Sequence, residues 1–92
     1  MRRFEEGPLH TEQEMIQAIE NHLVHMKAYE MWMIGLTADP DRRYEELEEP
    51  AFWCHWRAAD PEVARRVMEH FVAKGMKPHT PVPPNAVCVY IY

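Results

Sequence analysis

At 92 residues, with 47% hydrophobic and 11% aromatic side chains, the chain carries enough apolar content for one core and too little length for two. Its formal net charge of −5 is too modest for a disordered polyelectrolyte, and the acidic balance argues against strong non-specific binding to duplex nucleic acid, which rests on Lys and Arg displacing counterions. No apolar run approaches the roughly eighteen residues of a membrane span, and Met1-Arg2-Arg3 leads into Glu5, Glu6 and Pro8 rather than an apolar stretch, so the expectation is a cytoplasmic protein with no membrane partner.

Residues 1–10 read as a tail, and one folded domain is expected over residues 11–92. Thr11 and Glu14 have the spacing of a capping box, in which each side chain satisfies a free backbone amide. Met15, Ile16, Ile19, Leu23 and Met26 then recur on one helical face, so the spacing predicts a helix over residues 11–28. His22 and His25, three apart, share one side of its polar rim. Residues 29–37 change to a two-residue period that is apolar on both faces. Tyr29, Met31, Met33 and Gly35 fall on one face and Trp32, Ile34 and Leu36 on the other, the pattern of a strand inside its sheet. Asp39-Pro40 then gives a cap and a first-turn proline for a short helix to about Leu47.

Residues 51–58 form a second strand pattern in which Phe52, Cys54 and Trp56 alternate with Trp53, His55 and Arg57. Asp60-Pro61 repeats the cap-plus-proline signal. A broad stripe of Val63, Ala64, Val67, Met68, Phe71 and Val72 follows and ends at Gly75, a left-handed stop. Residues 76–85 hold four prolines and read as an extended surface connection. Residues 86–92 alternate Val87, Val89 and Ile91 against Cys88, Tyr90 and Tyr92, a third strand. The expected fold class is α+β, a small, mostly antiparallel three-stranded sheet packed with helices.

The stretch from Trp32 to Leu47, WMIGLTADPDRRYEEL, resembles the second half of the GIY-YIG nuclease motif. In that family a strand ending Tyr-Ile-Gly passes through a polar turn into a helix carrying a catalytic arginine. Met33-Ile34-Gly35 stands in the strand position, and Arg43 follows Met33 at the family's spacing. The resemblance further implies a strand and then a helix with a metal-binding glutamate shortly after an alanine, and this chain supplies residues 51–58 and the helix containing Ala64.

Three departures bear on function. The family's Gly-Ile-Tyr strand has no counterpart upstream, although residues 86–92 would fill that place in a permuted arrangement, with Tyr90 near the lost tyrosine. Met33 replaces a tyrosine, and a thioether has no dissociable proton with which to activate water. Counting four residues from Ala64 lands on Met68, while Glu69 is one place late and about 100° round the helix, toward solvent. Arg43 is retained. It either holds an anionic group beside Gly35, which has no side chain to block close approach, or pairs with a carboxylate or helix terminus.

The resulting expectation is a GIY-YIG-like domain without nuclease activity, acting as a small binding or regulatory module for a protein or nucleic-acid partner and needing no cofactor. Arg43 and Gly35 are its candidate binding residues. The alternative is a divergent Mg²⁺-dependent nuclease using Arg43, Tyr29 or Tyr90, and Glu69. An oligomer-forming structural protein is a third reading. Other constellations are weaker: His22 and His25 are two potential metal ligands where a site needs three or four. Trp32, Trp53 and Trp56 with Tyr29, Tyr90 and Tyr92, helped by Arg57, Arg65 and Arg66, offer a base-stacking platform or simply core area. Cys54 and Cys88 read as buried thiols. With no serine and three glycines, neither a serine nucleophile nor a Gly-rich phosphate loop is available.

Overall fold

The computed structural model describes residues 11–23, 28–80 and 82–92. The tail expected over residues 1–10, and His25 and Met26, lie outside the described residues. Three α-helices and four strands follow in the order α1 (Glu12–His22), β1 (Met33–Thr37), α2 (Pro40–Glu46), β2 (Cys54–Arg57), α3 (Pro61–Ala73), β3 (Lys77–Pro78) and β4 (Cys88–Ile91). The helices begin where their caps dictate. Thr11 accepts from the Glu14 amide and Glu14 accepts from the Thr11 amide, while Asp39 and Asp60 accept from the amides of Arg42 and Val63 in front of first-turn prolines.

The sheet is four-stranded and mixed, in the order β2-β4-β1-β3. Its centre is the antiparallel pair β1/β4, with Gly35 opposite Tyr90 and Leu36 opposite Val89. β2 pairs antiparallel on the far side of β4, placing His55 opposite Tyr90. The three antiparallel strands were legible; the fourth corrects the expectation. β3 is a two-residue edge strand parallel to β1, inside the proline-rich connection. It forms because Pro78 falls at the right parity. The amides of Lys77 and His79 donate to the carbonyls of Trp32 and Ile34 at 3.0 and 2.8 Å, and the intervening Pro78 would have pointed an amide away from the sheet, so nothing is lost. A second correction concerns residues 29–31, which form a 3-10 turn rather than the start of the strand, leaving Met31 exposed.

Parity sorts the two faces. Trp32, Ile34, Leu36, Val89 and Ile91 join Met15, Ile19, Ala64, Val67, Met68 and Phe71 in one apolar core beneath α1 and α3. Gly35, His55 and Tyr90 point the opposite way, toward α2, and are also buried. The aromatic residues are thereby divided, which breaks up the single stacking platform: Trp32 and Trp56 serve the α1/α3 face, with His22 edge-on to both, and Trp53 serves the other. Cys54 sits opposite Ile91 and Cys88 opposite Arg57, so the two thiols face opposite sides of the sheet and stay unlinked. Burial pushes the Cys54 thiol above its ordinary range. Met68 is buried, but Met33 is only half-buried, because its neighbour at the sheet edge is the exposed Lys77.

Candidate functional site

The α2 face of the sheet holds a polar cluster at its centre. It begins with Gly35. The Tyr90 ring from the neighbouring strand lies directly across that glycine, so a Cβ built there would meet Tyr90 Cζ at 2.5 Å and Oη closer still. Tyr90 is 1% exposed, and its outer side is covered by Trp53, stacked at 4.7 Å between ring centroids and 14° between planes. Trp53 is itself held, its Nε1 donating to His55 Nδ1 at 3.0 Å and its edge meeting Tyr44 of α2 at 5.4 Å. The phenol is thus held between Gly35 on one side and Trp53 on the other.

Its hydroxyl emerges at one end of this stack, where two cation-capable side chains meet it. Arg43 Nε donates to Tyr90 Oη at 3.2 Å, and His79 Nδ1 lies 2.7 Å from the same oxygen. Arg43 Nη2 is in turn 3.4 and 3.3 Å from the two ring nitrogens of His79, and Nη1 donates to Glu46 Oε1 at 3.1 Å. The Arg43 side chain remains 25% exposed. A buried phenol needs a partner for its hydroxyl, and an oxygen that accepts from an arginine can still offer its own proton to an unprotonated imidazole nitrogen.

The electrostatics agree with that arrangement. Burial, and then the neighbouring Arg43 charge, hold His79 below its ordinary value, favouring the neutral ring. Burial raises Tyr90, with Arg43 partly opposing, so the phenol keeps its proton at neutral pH. The Tyr90 hydrogen bond raises Arg43 further, leaving it a permanent cation.

Of the residues singled out in the sequence, Arg43, Tyr90 and Gly35 come together. Gly35 has a different part from the one expected, because the space above it is filled by Tyr90 and no ligand can approach it there. Tyr29 and Glu69 lie elsewhere. Tyr29 belongs to the α1/α3 side, where its hydroxyl donates to Glu20 Oε1 at 2.9 Å, a bond that raises its pKa, and its ring leans on Phe71. Glu69 is exposed on α3, 3.9 Å from Arg65. His22 stands against Trp32 and Trp56, and no group of three or more His, Cys, Asp or Glu gathers in metal-binding fashion among the described residues.

Sequence alone missed His79 as a member of the cluster and offered Trp53 with Tyr90 only as part of a stacking platform or of core area. The strand parity of residues 53 and 55 already placed Trp53 beside His55, and Lys77 and His79 flanking Pro78 was a readable edge-strand signal inside the connection. No described helix is long and apolar enough to cross a membrane. No family model, no curated protein and no solved structure matches this chain.

Proposed function

We propose that this chain is a GIY-YIG-like domain that has lost nuclease chemistry and serves as a small binding or regulatory module, with Arg43 as the residue that grips an anionic group of its partner. The observation that carries the reading is the position of the Arg43 guanidinium, anchored on a buried phenol through Nε yet still one-quarter open to solvent. The three contacts it makes leave N–H groups over for a further acceptor. The antiparallel pairing of β4 with β1, with Tyr90 opposite Gly35, supports a permuted form of the family arrangement.

The nuclease alternative draws no comparable support. Its glutamate and arginine are on opposite sides of the sheet, Glu69 exposed on α3 and Arg43 against Tyr90, and the carboxylate beside Arg43 is Glu46, already paired with it. Phosphodiester hydrolysis of that type needs a metal-holding carboxylate and a water-activating group at one phosphate.

The test has two arms. Purified protein incubated with DNA and RNA in Mg²⁺ or Mn²⁺ is expected to leave both intact; metal-dependent cleavage lost in a Glu69→Ala variant would restore the nuclease alternative. Anion binding, followed by the amide and arginine Nε–H resonances during a sulfate titration at constant ionic strength, is expected to vanish in Arg43→Ala. The folding stability of that variant should fall by no more than about 1 kcal/mol, because the charged pair it breaks is solvent-screened. A variant that binds as before, or one that unfolds, overturns the assignment.

A further inference from the structure

The Arg43 and His79 side chains touch, and that juxtaposition asks for a third group. Arg43 is always charged, so its Nη2 at 3.3–3.4 Å from both His79 nitrogens makes an imidazolium unfavourable there unless an anion lies between the two. The groups facing His79 are Arg43 from α2, with Glu46 behind it, Tyr90 from β4 and Tyr92 just after it, whose rings stand edge-on to the imidazole at 6.0 and 5.9 Å. β1 has no titratable side chain at all. From its own segment His79 has Lys77, two residues away on the same strand face and exposed. Among these side chains the sole carboxylate is that of Glu46, and it is bonded to Arg43 Nη1.

Resting on the reading of Arg43 as an anion-gripping residue, we propose that Arg43 and His79 form a proton-coupled site for a terminal phosphate-type dianion, with His79 taking up a proton as the dianion binds. One oxyanion oxygen would accept from the spare N–H groups of Arg43 and another from protonated His79, which then also donates through Nδ1 to Tyr90 Oη, already 2.7 Å away. The proton comes from solvent and returns there on release. Two positive charges in contact match a doubly charged monoester or free oxyanion better than the single charge of an internal phosphodiester. The surroundings select in the same direction. Glu45, Glu46, Glu48 and Glu49 are all exposed at and just past the end of α2, a negative cluster on the element that carries Arg43, and it repels a long polyanion along its length more than it does a small terminal group.

Burial and the neighbouring Arg43 charge hold His79 below its ordinary value, which gives the coupling its sign. Without ligand the ring is neutral at pH 7; with a dianion beside it the charged form is favoured, so affinity rises as pH falls. Isothermal titration with sulfate, which stays a dianion throughout, should show net proton uptake when buffers of different ionisation enthalpy are compared near pH 7. Its affinity should rise toward about tenfold per unit as pH falls from 8 to 6. In His79→Gln, which keeps a hydrogen-bonding side chain of similar size, binding should be weaker and flat with pH. Methyl phosphate should bind more tightly than dimethyl phosphate.

Uptake of no proton, a pH dependence that persists in His79→Gln, or equal affinity for the two phosphate esters overturns the coupling and leaves the Arg43 reading standing, provided sulfate binding still requires Arg43. Failure of the wild-type protein to bind sulfate or methyl phosphate at all overturns both. A wild-type titration of the His79 imidazole followed by NMR, with its midpoint moving up on adding sulfate, is the expected independent signature; an unmoved midpoint speaks against the proposal even if sulfate binds elsewhere.

Discussion

Replacing Gly35 with alanine asks whether the site is held by a single close approach. The added methyl would sit 2.5 Å from Tyr90 Cζ and nearer still to Oη, well inside contact distance, so the ring, the strand or both must move. The ring has little room, being 1% exposed and stacked on Trp53 at 4.7 Å. Separating β4 from β1 instead would stretch the central ladder of the sheet, in which Gly35 is paired with Tyr90. Overpacking of this kind costs typically 1–3 kcal/mol, and a clash with an immobilised aromatic belongs near the top of that span. For a chain of 92 residues a loss of about 2–3 kcal/mol lowers Tm by roughly 10–20 °C. Thermal unfolding followed by circular dichroism measures it, and a double-mutant cycle assigns it. In a Tyr90→Val background, where the ring is gone, Gly35→Ala should have almost no cost, giving a coupling of about 2 kcal/mol. A Gly35→Ala protein that melts within a degree or two of wild type, or one equally destabilised in both backgrounds, would refute the picture of Tyr90 lying across this glycine.

Tyr90→Phe keeps the stack but removes the hydroxyl shared by Arg43 and His79; we expect a loss of about 1 kcal/mol by urea denaturation and weakened sulfate binding. Glu48 and Glu49 both adopt left-handed backbone at the end of α2, with φ of 65° and 55°, a conformation that costs a residue with a side chain roughly 1–2 kcal/mol, so Glu48→Gly should raise Tm. Because His79 is held below its ordinary value in the fold, the unfolded chain binds the proton more readily; stability is present above about pH 6.5 and is lost as pH falls through that range. In sulfate-free buffer the urea midpoint should therefore drop from pH 7 to pH 5, and drop less in His79→Gln. Ending the chain after Asn85 removes β4, which lies between β1 and β2, and should abolish cooperative melting.

How much of this was legible in the sequence depended on whether local chemistry decides the outcome. The three helices were, since their starts rest on side-chain caps and prolines next to them in the chain, and their buried faces on a period of 3.6. The antiparallel strands were also, because alternation fixes which residues share a face: Trp32, Ile34 and Leu36 went to the core together. Boundaries were less so. Residues 29–31 alternate like a strand, yet the chain turns there, with the amides of Met31 and Trp32 donating to Ala28 and Tyr29. Pro78 hid β3 because a proline is read as a breaker until its amide direction relative to a neighbouring strand is known. The cluster itself joins α2, the segment after β3 and β4. Arg43 and His79 are 36 residues apart in sequence, and no periodicity connects them.

Glycine at position 35 shows how a motif residue can keep its identity while its part changes. On the Met33-Ile34-Gly35 segment alone, the missing side chain looked like an opening for a partner. In the fold the opening is filled from within by Tyr90, and the consequence is transferred outward: because the ring crosses Gly35, its hydroxyl is held over β1, where Arg43 and His79 meet it. A larger residue at 35 would displace the phenol, and with it the anchor that holds the Arg43 guanidinium against His79. The Arg43 guanidinium is therefore oriented by a buried backbone position that it does not itself touch. That is why Gly35→Ala should weaken anion binding as well as stability, whereas Arg43→Ala should affect binding far more than folding.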